Sequence, residues 1–130
     1  MTMVETPQSE AIKIVIDKLK SELGCNIIIG PLPENGGITA EINNGTGKGR
    51  YLNNKHGKEQ LTVLFLCKNS SQNTAYNTLC TIGNVLDAFT PLEGENVHIS
   101  GAETRSGAGL VGNDGGYYIY SMIAGINIVF

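Results

Sequence analysis

Aromatic and charged residues are scarce in this chain. The first shortage limits the kind of core it can form, and the second limits the partners it can bind. There is no tryptophan and only 6% of the residues are aromatic, so the core is expected to be aliphatic. Charged residues make up 16% of the 130 residues, with a net charge of −3. That balance argues against a body that binds nucleic acid through a broad basic face. The length fits one domain with a single core.

Long apolar runs and a secretion signal are also missing. No apolar stretch approaches the roughly 20 residues of a membrane helix. The opening MTMVETPQSE has neither the basic nor the apolar region of a signal peptide. We therefore expect neither contact with a membrane nor secretion.

The cysteines and histidines are too few and too widely spaced to predict a set of disulfides or a metal site. Cys25, Cys67 and Cys80 are an odd number, widely spaced, and each lies within an apolar segment. This pattern is typical of small core residues in a reducing compartment, not of disulfides or a zinc site. His56 and His98 add no metal-ligand spacing, so no metal and no cofactor is predicted.

Apolar periodicity predicts two amphipathic helices. The first is capped by Thr6, has Pro7 at its first position and ends at Gly24. The second covers residues 72–89, with an N-cap within residues 69–71. The predicted apolar stripes are Ile12, Val15, Ile16, Leu19 and Leu23 in the first helix, and Ala75, Leu79, Ile82, Leu86 and Phe89 in the second.

Alternating apolar residues predict five strands. They are a short one at 26–29, one at 38–42, a central one at 60–68, one at 97–99 and a long one at 117–130. Residues 101–116 are predicted to form a glycine-rich loop, and Gly125 is predicted to allow a bulge. The order α-β-β-β-α-β-β predicts an α+β domain with a mainly antiparallel sheet and two helices packed on it.

Two glycine motifs resemble nucleotide sites only in their letters. Residues 107–112 match G-x-G-x-x-G, but the predicted turn and strand that follow do not supply the helix that such a site requires. Lys48 in GTGKGR lacks the glycine, the hydroxyl residue and the helix of a phosphate loop. We therefore expect no nucleotide site and no catalytic residues.

The most distinctive segment is a basic one, residues 44–58, which reads NGTGKGRYLNNKHGK. It carries four cations and no acid, so it has a charge of +4, while the other five cations and twelve acids give the rest of the chain −7. Its glycines and asparagines predict a flexible hairpin arm. Either the arm is a solvated loop, or it orders against an acidic partner, a neighbouring subunit or a nucleic-acid backbone. The candidate contact residues are Lys48, Arg50, Tyr51, Leu52, Lys55 and Lys58.

Three segments resemble a group of small bacteriophage proteins. The opening IKIVIDKLKSELGCNIIIGPLPENGG runs from an amphipathic helix into a short strand and a Gly-Pro-x-Pro turn. The basic hairpin and a mid-chain helix follow, and the chain ends in the tyrosine-rich YYIYSMIAGINIVF after a Gly-Asn-Asp-Gly turn. In this order the chain resembles the minor capsid and tail-terminator, or head–tail joining, proteins of phages and prophages.

The resemblance implies a non-enzymatic virion component of α+β fold, made in the cytoplasm of a bacterial host. Its implied partners are further copies of itself, in a hexameric ring on assembly, and other phage head or tail proteins. It also allows contact between the basic arm and DNA in the channel. The resemblance carries no catalytic residue and no cofactor to this chain.

Two other classes remain open from the residues. One is a small α+β enzyme with a site in the predicted loop at 104–116. The other is a non-viral binding module that recruits an acidic partner through residues 48–58. Turnover would distinguish the enzyme, and the oligomeric state would distinguish a ring from a monomeric module.

Overall fold

The computed structural model describes residues 6–50 and 57–130, and for residues 43–50 and 57 it describes the backbone alone. The elements are α1 (Pro7–Leu23), β1 (Ile28–Ile29), β2 (Gly37–Arg50), β3 (Gly57–Asn69), α2 (Gln72–Asp87), β4 (Leu92–Glu93), β5 (His98–Asp114) and β6 (Tyr117–Val129). The predicted α+β class and the mainly antiparallel sheet are confirmed, and the predicted order gains only the two-residue strand β4.

Local signals at its two ends set the bounds of α1. The Thr6 hydroxyl oxygen accepts a hydrogen bond from the backbone N–H of Ser9 at 3.1 Å, and Pro7 occupies the first turn. At the other end Gly24 has a left-handed φ of 65°, and its N–H donates to the carbonyl of Lys20 at 2.8 Å. The predicted helix is confirmed.

The second helix begins as predicted but ends two residues earlier. The Ser71 hydroxyl accepts a hydrogen bond from the N–H of Thr74 at 3.3 Å, which caps the start. Beyond Asp87 the N–H of Phe89 donates to the carbonyl of Leu86 at 3.1 Å, a tighter bond than an α-helix makes. Phe89 still packs against the core from outside the helix.

The sheet has the strand order β1-β2-β3-β6-β5-β4. Only β1 and β2 run parallel, and the other neighbours are antiparallel. The central pair, β3 and β6, stays in register from Lys58 opposite Val129 to Asn69 opposite Tyr118. This confirms β3 as a central strand, which its apolar residues on both faces had predicted.

Both helices cover the same face of the sheet, which we call the core face. No helix among the residues described covers the opposite face, which we call the helix-free face. Alternate residues of the central strands meet the helix stripes on the core face, and Phe65 is the largest side chain that is fully buried. The aliphatic core that the sequence predicts is thus confirmed. Its buried members include Ile12, Val15, Ile16, Leu19, Leu61, Val63, Leu79, Ile82, Leu86, Met122, Ile126 and Ile128.

The predicted glycine-rich loop at 101–116 is wrong, because β5 pairs with β6 along this whole stretch. The 17 residues of β5 face only 13 residues of β6, and four register shifts absorb the difference. Each shift adds a residue to β5 and breaks its side-chain alternation, so the sequence does not read as a strand. The turn is confined to Gly115 and Gly116, both with positive φ.

The predicted bulge at Gly125 is also wrong. Gly125 pairs with Thr62 on one side and with Glu103 on the other, and no shift falls at either pair. The extra residues lie in β5, the neighbouring strand, because an edge strand can bulge without disturbing a second partner.

Strand bounds around the basic segment differ from those predicted. Pairs from Gly45 opposite Leu61 to Arg50 opposite Gly57 extend β2 and β3 well into residues 44–58, with two register shifts in β2. The described residues of this segment, 44–50 and 57–58, therefore lie in strands, and residues 51–56 lie outside the described residues. The first strand is shorter than predicted, since only Ile28 and Ile29 pair with β2.

Candidate functional site

Three of the predicted basic contact residues lie at one end of the β2–β3 hairpin. Lys48 and Arg50 are in β2, and Lys58 is an exposed residue of β3. Gly49 pairs with Lys58 and Arg50 pairs with Gly57, which places the three residues close together along the backbone. The other three predicted contact residues, Tyr51, Leu52 and Lys55, lie outside the described residues.

The first edge of the sheet is β2, partly covered by β1. β1 pairs only with Thr39 and Ala40, so residues 41–50 have no strand partner on this side within the described ranges. The two residues of β1 are themselves open to solvent, with Ile28 39% and Ile29 48% exposed. An uncovered strand edge with exposed aliphatic residues is a surface suited to contact with another chain.

An apolar groove of about 500 Å³ adjoins this edge. It lies between the first half of α1 and strands β1 and β2, with Ile12, Ile29, Pro31 and Ile42 in its walls. Because the walls are mainly aliphatic, the groove suits apolar side chains or an extended apolar peptide.

The opposite edge is β5, partly covered by β4. β4 pairs only with His98 and Ile99, so the rest of β5 has no strand partner on its outer side among the residues described. Leu110 and Val111 are the most exposed large hydrophobic residues described, at 56% and 60%. The carboxylate of Glu93 in β4 is in contact with Nδ1 of His98 and remains largely exposed.

A polar network on the helix-free face crosses Gly125. Gln60 Nε2 donates to Glu103 Oε1 at 3.1 Å and to Asn127 Oδ1 at 3.0 Å, while Arg105 Nη1 donates to Gln60 Oε1. A Cβ atom at Gly125 would lie 2.8 Å from the Arg105 side chain and 3.1 Å from Gln60. The network joins β3, β6 and β5, and the glycine leaves it room. Sequence reasoning missed it, since only the cross-strand register brings these residues together.

Lys68 lies on the same face with its side chain only 8% exposed. Its Nζ is 3.1 Å from Asp114 Oδ2 and 5.4 Å from the centre of the Tyr117 ring. An opposite charge and an aromatic face together stabilise a largely buried cation. These contacts tie β3 to the turn between β5 and β6, so we assign Lys68 a structural role.

An aromatic patch lies where α2 begins. The rings of Tyr76 and Tyr120 meet edge to face with centroids 5.9 Å apart, and Gln72 Nε2 donates to the Tyr120 hydroxyl at 2.8 Å. A hydrogen bond with Cys80 is the main cause that raises the pKa of Tyr76. This arrangement fixes the start of α2 on the sheet.

The cysteines differ in burial. Cys67 is buried in the core, whereas Cys25 and Cys80 are partly exposed, and all three are free thiols. Burial raises the pKa of Cys67 above its usual 9.0, a hydrogen bond with the Thr78 side chain opposes this rise, and Cys25 adds to it. A buried thiol with a raised pKa is a poor nucleophile.

We expect Cys67 to be the slowest of the three to react with iodoacetamide in the folded protein. Cys67→Ala should lower the free energy of unfolding by about 1 kcal/mol through lost burial. Because burial raises the pKa of the Cys67 thiol above 9.0, the unfolded chain loses this proton first. The folded state should therefore lose stability as the pH rises from 9.0 through the raised pKa. Mass spectrometry of alkylated peptides, with Cys25 and Cys80 as internal controls, measures the order. Faster labelling of Cys67 than of both controls contradicts this prediction.

The other motifs of the sequence that the structure describes lie within its strands. The G-x-G-x-x-G residues lie within β5, with a turn and β6 after them. His98 starts β5, and His56 is outside the described residues. Among the residues described, no group of three or more histidine, cysteine or acidic side chains could hold a metal ion. No helix described is long and apolar enough to cross a membrane.

Comparison with known proteins yields no assignment: no family model matches the chain, and no curated protein matches it with significant similarity.

Proposed function

We propose that this chain is a non-enzymatic structural protein of a phage or prophage virion, of the minor-capsid or tail-terminator type. It assembles through contacts between its own copies at the head–tail junction or the tail end. The observation that carries the proposal is that the sheet is open at both sides. Beyond β1 and β4, most of β2 and β5 has no strand partner on its outer side among the residues described.

The two edges are different surfaces, and this difference favours a ring. A contact between unlike surfaces of identical chains is head-to-tail, and it closes into a ring when the rotation between copies allows closure. Lys48 and Arg50 make the hairpin end of the β2 edge basic, whereas the exposed carboxylate of Glu93 makes the β4 edge acidic. Opposite charges of this kind guide association and register, while apolar burial supplies affinity.

The virion assignment draws on the resemblance of the opening, the basic hairpin and the terminal strand to phage head and tail proteins. Other proteins of the particle are the further partners it implies. Packaged DNA is the alternative partner for the basic end of the β2–β3 hairpin, where Lys48, Arg50 and Lys58 gather. Phosphate groups bind lysine and arginine without regard to base sequence.

The presence of the chain in purified particles tests this function. Particles from the producing bacterium are separated on a density gradient, and mass spectrometry measures the copy number of the chain against the major capsid protein. We expect a low, fixed ratio in the particles, and immature heads or unfinished tails when the gene is deleted. A chain absent from the particles, with normal particles after deletion, overturns the proposal.

Reversing the charge of the basic segment tests how the chain assembles. Glutamate at Lys48, Arg50, Lys55 and Lys58 should abolish assembly in the absence of DNA, because two acidic surfaces then face each other. A variant with glutamate at Lys13, Lys18 and Lys20 of α1 is the control for added negative charge, and it should assemble. Light scattering after size exclusion measures both. Rings formed by the first variant would show that the basic segment is only a solvated hairpin.

The apolar groove beside β1 favours a second candidate, a non-viral binding module. Its volume of about 500 Å³ and its aliphatic walls suit an apolar peptide from another protein. The same experiments separate the two candidates. A monomer at every concentration that binds apolar peptides, and that is absent from particles, is a binding module.

A further inference from the structure

Each open edge of the sheet has a step, and the two steps are complementary. On one side β1 projects beyond β2 next to Thr39 and Ala40, and the rest of that edge is recessed by one strand. On the other side β4 projects beyond β5 next to His98 and Ile99, and the rest is recessed. If two copies lie side by side, each projecting strand therefore faces a recess in the other copy.

The lower step brings exposed aliphatic residues of the two edges to within about three residues of the same height. Successive pairs across the sheet place Ile28, Thr39, Leu66, Ser121 and Gly109 in one row. The row thus begins at the projecting β1, whose isoleucines are exposed, and ends beside the exposed pair in β5. Those exposed residues are Ile28 and Ile29 at one end, and Leu110 and Val111 at the other.

The upper step brings opposite charges to the same height. Gly49, Lys58, Val129, His98 and Glu93 form a second row. The row begins in β2 between two cations and ends at an exposed carboxylate in β4. The two rows are about 27 Å apart along β3, at roughly 3.4 Å per residue. Since both rows cross the whole sheet, the apolar and charged regions have this same separation on each edge.

Strand direction also permits the contact. β2, β3, β6 and β5 alternate in direction, so β5 runs opposite to β2. A rotation axis along the strands preserves these directions, and β5 of one copy then lies antiparallel to β2 of the next. The register shifts in β5 disrupt a long regular ladder. The contact is therefore confined to the two steps, where β1 and β4 each lie beside a short stretch of the next copy, and no continuous ladder forms.

We infer that the partner at each edge is a second copy of this chain, seated head to tail so that the two steps interlock. β1 of one copy packs beside residues 107–109 of the next. The basic end of β2 meets Glu93 in β4 of that copy and the exposed Glu95 that follows β4. The inference rests on the proposed self-assembly and specifies the surfaces that perform it. Leu110 of the next copy then lies one residue from the level of Ile28, beside the exposed end of β1.

Charge exchange between the edges tests the upper step. Glutamate at Lys48 and Arg50, or lysine at Glu93 and Glu95, should each weaken association about tenfold or more, because like charges then meet. The chain with all four substitutions should recover assembly, as should an equal mixture of the two double variants. Glutamate at Lys13 and Lys20 is the matched control. Failure of both recoveries, with all variants folded by circular dichroism, overturns the upper contact.

A disulfide between copies tests the lower step. Ile28 and Gly109 share a row, and directly opposed strand residues have the Cα spacing that a disulfide needs. A Cβ atom at Gly109 meets nothing within 4 Å. Under mild oxidation, Ile28→Cys with Gly109→Cys should give a ladder of covalent oligomers that ends at one closed species. Each single variant controls for the native cysteines and should give no ladder.

Oxidation is carried out on the free protein and on purified particles. Particles that contain the chain but give no ladder overturn this contact and leave the proposed function standing. A ladder from the free protein, with the chain absent from particles, supports the contact and overturns the virion function. A monomer that gives no ladder in either preparation overturns the interlocking edges.

Discussion

Replacing Phe65 with alanine is expected to lower the free energy of unfolding by about 3–5 kcal/mol. The Phe65 ring is fully buried in the centre of β3, where it lies between the flanking strands and beneath the helices. Its removal loses apolar burial and leaves a cavity that the two central strands cannot close, since both are held in register along their lengths. Urea denaturation followed by circular dichroism measures the change.

Leu64→Ala is the matched control in the same strand. Leu64 lies on the helix-free face and is only partly buried, so its truncation should cost clearly less, on the order of 1 kcal/mol. The two variants have the same backbone neighbours and differ in the face they alter. Equal costs would mean that the helix-free face is as well covered as the core face in the folded protein.

The helices could be predicted from the sequence because their determinants are local. Thr6, Pro7 and Gly24 define α1, and the stripe between them shows which side is buried. The same holds for β6, where every second residue from Tyr120 to Ile128 is buried, as the period of a strand predicts. In these elements the spacing of apolar residues and the signals at the two ends are enough to predict the structure. No contact between residues distant in sequence has to be known.

The strand β5 could not be predicted in this way. Four extra residues interrupt its alternation, and its glycines are typical of a loop. What makes it a strand is a long partner, β6, that pairs along its whole length. The same reason explains the error at Gly125, where a glycine suggested a bulge but instead makes room for Gln60 and Arg105.

Only one of the two edges that form the candidate interface could be predicted from the sequence. Charge counting alone singles out Lys48, Arg50 and Lys58, because they lie in a segment without acids. The opposite edge gives no such signal, since Glu93 stands among other acids and Leu110 lies in what reads as a loop. Only the register across the strands places Glu93 level with the basic end of β2 and Leu110 one residue from the level of Ile28 in β1.

Gly36→Ala is expected to be the most damaging of the glycine substitutions at turns, and to lower the free energy of unfolding by about 3 kcal/mol. Gly36 has a φ of 92°, which an alanine adopts only with strain. An added Cβ would also lie 2.8 Å from the backbone carbonyl oxygen of Lys68 and 3.6 Å from the Tyr117 ring. A backbone carbonyl in the central strand β3 cannot move aside as the end of a side chain can, so steric overlap adds to the strain.

Gly24→Ala is the control that separates these two costs. Gly24 also has positive φ, at 65°, but an added Cβ there meets nothing within 4 Å, so about 1–2 kcal/mol of strain is expected alone. Gly36 belongs to the connection between β1 and β2, and a shift there displaces β1 from its place at the edge. Gly36→Ala should therefore also reduce disulfide formation between Ile28→Cys and Gly109→Cys, whereas Gly24→Ala should leave it unchanged. Equal losses of stability in the two variants, with equal disulfide yields, would mean that Gly36 does not hold the projecting strand in position.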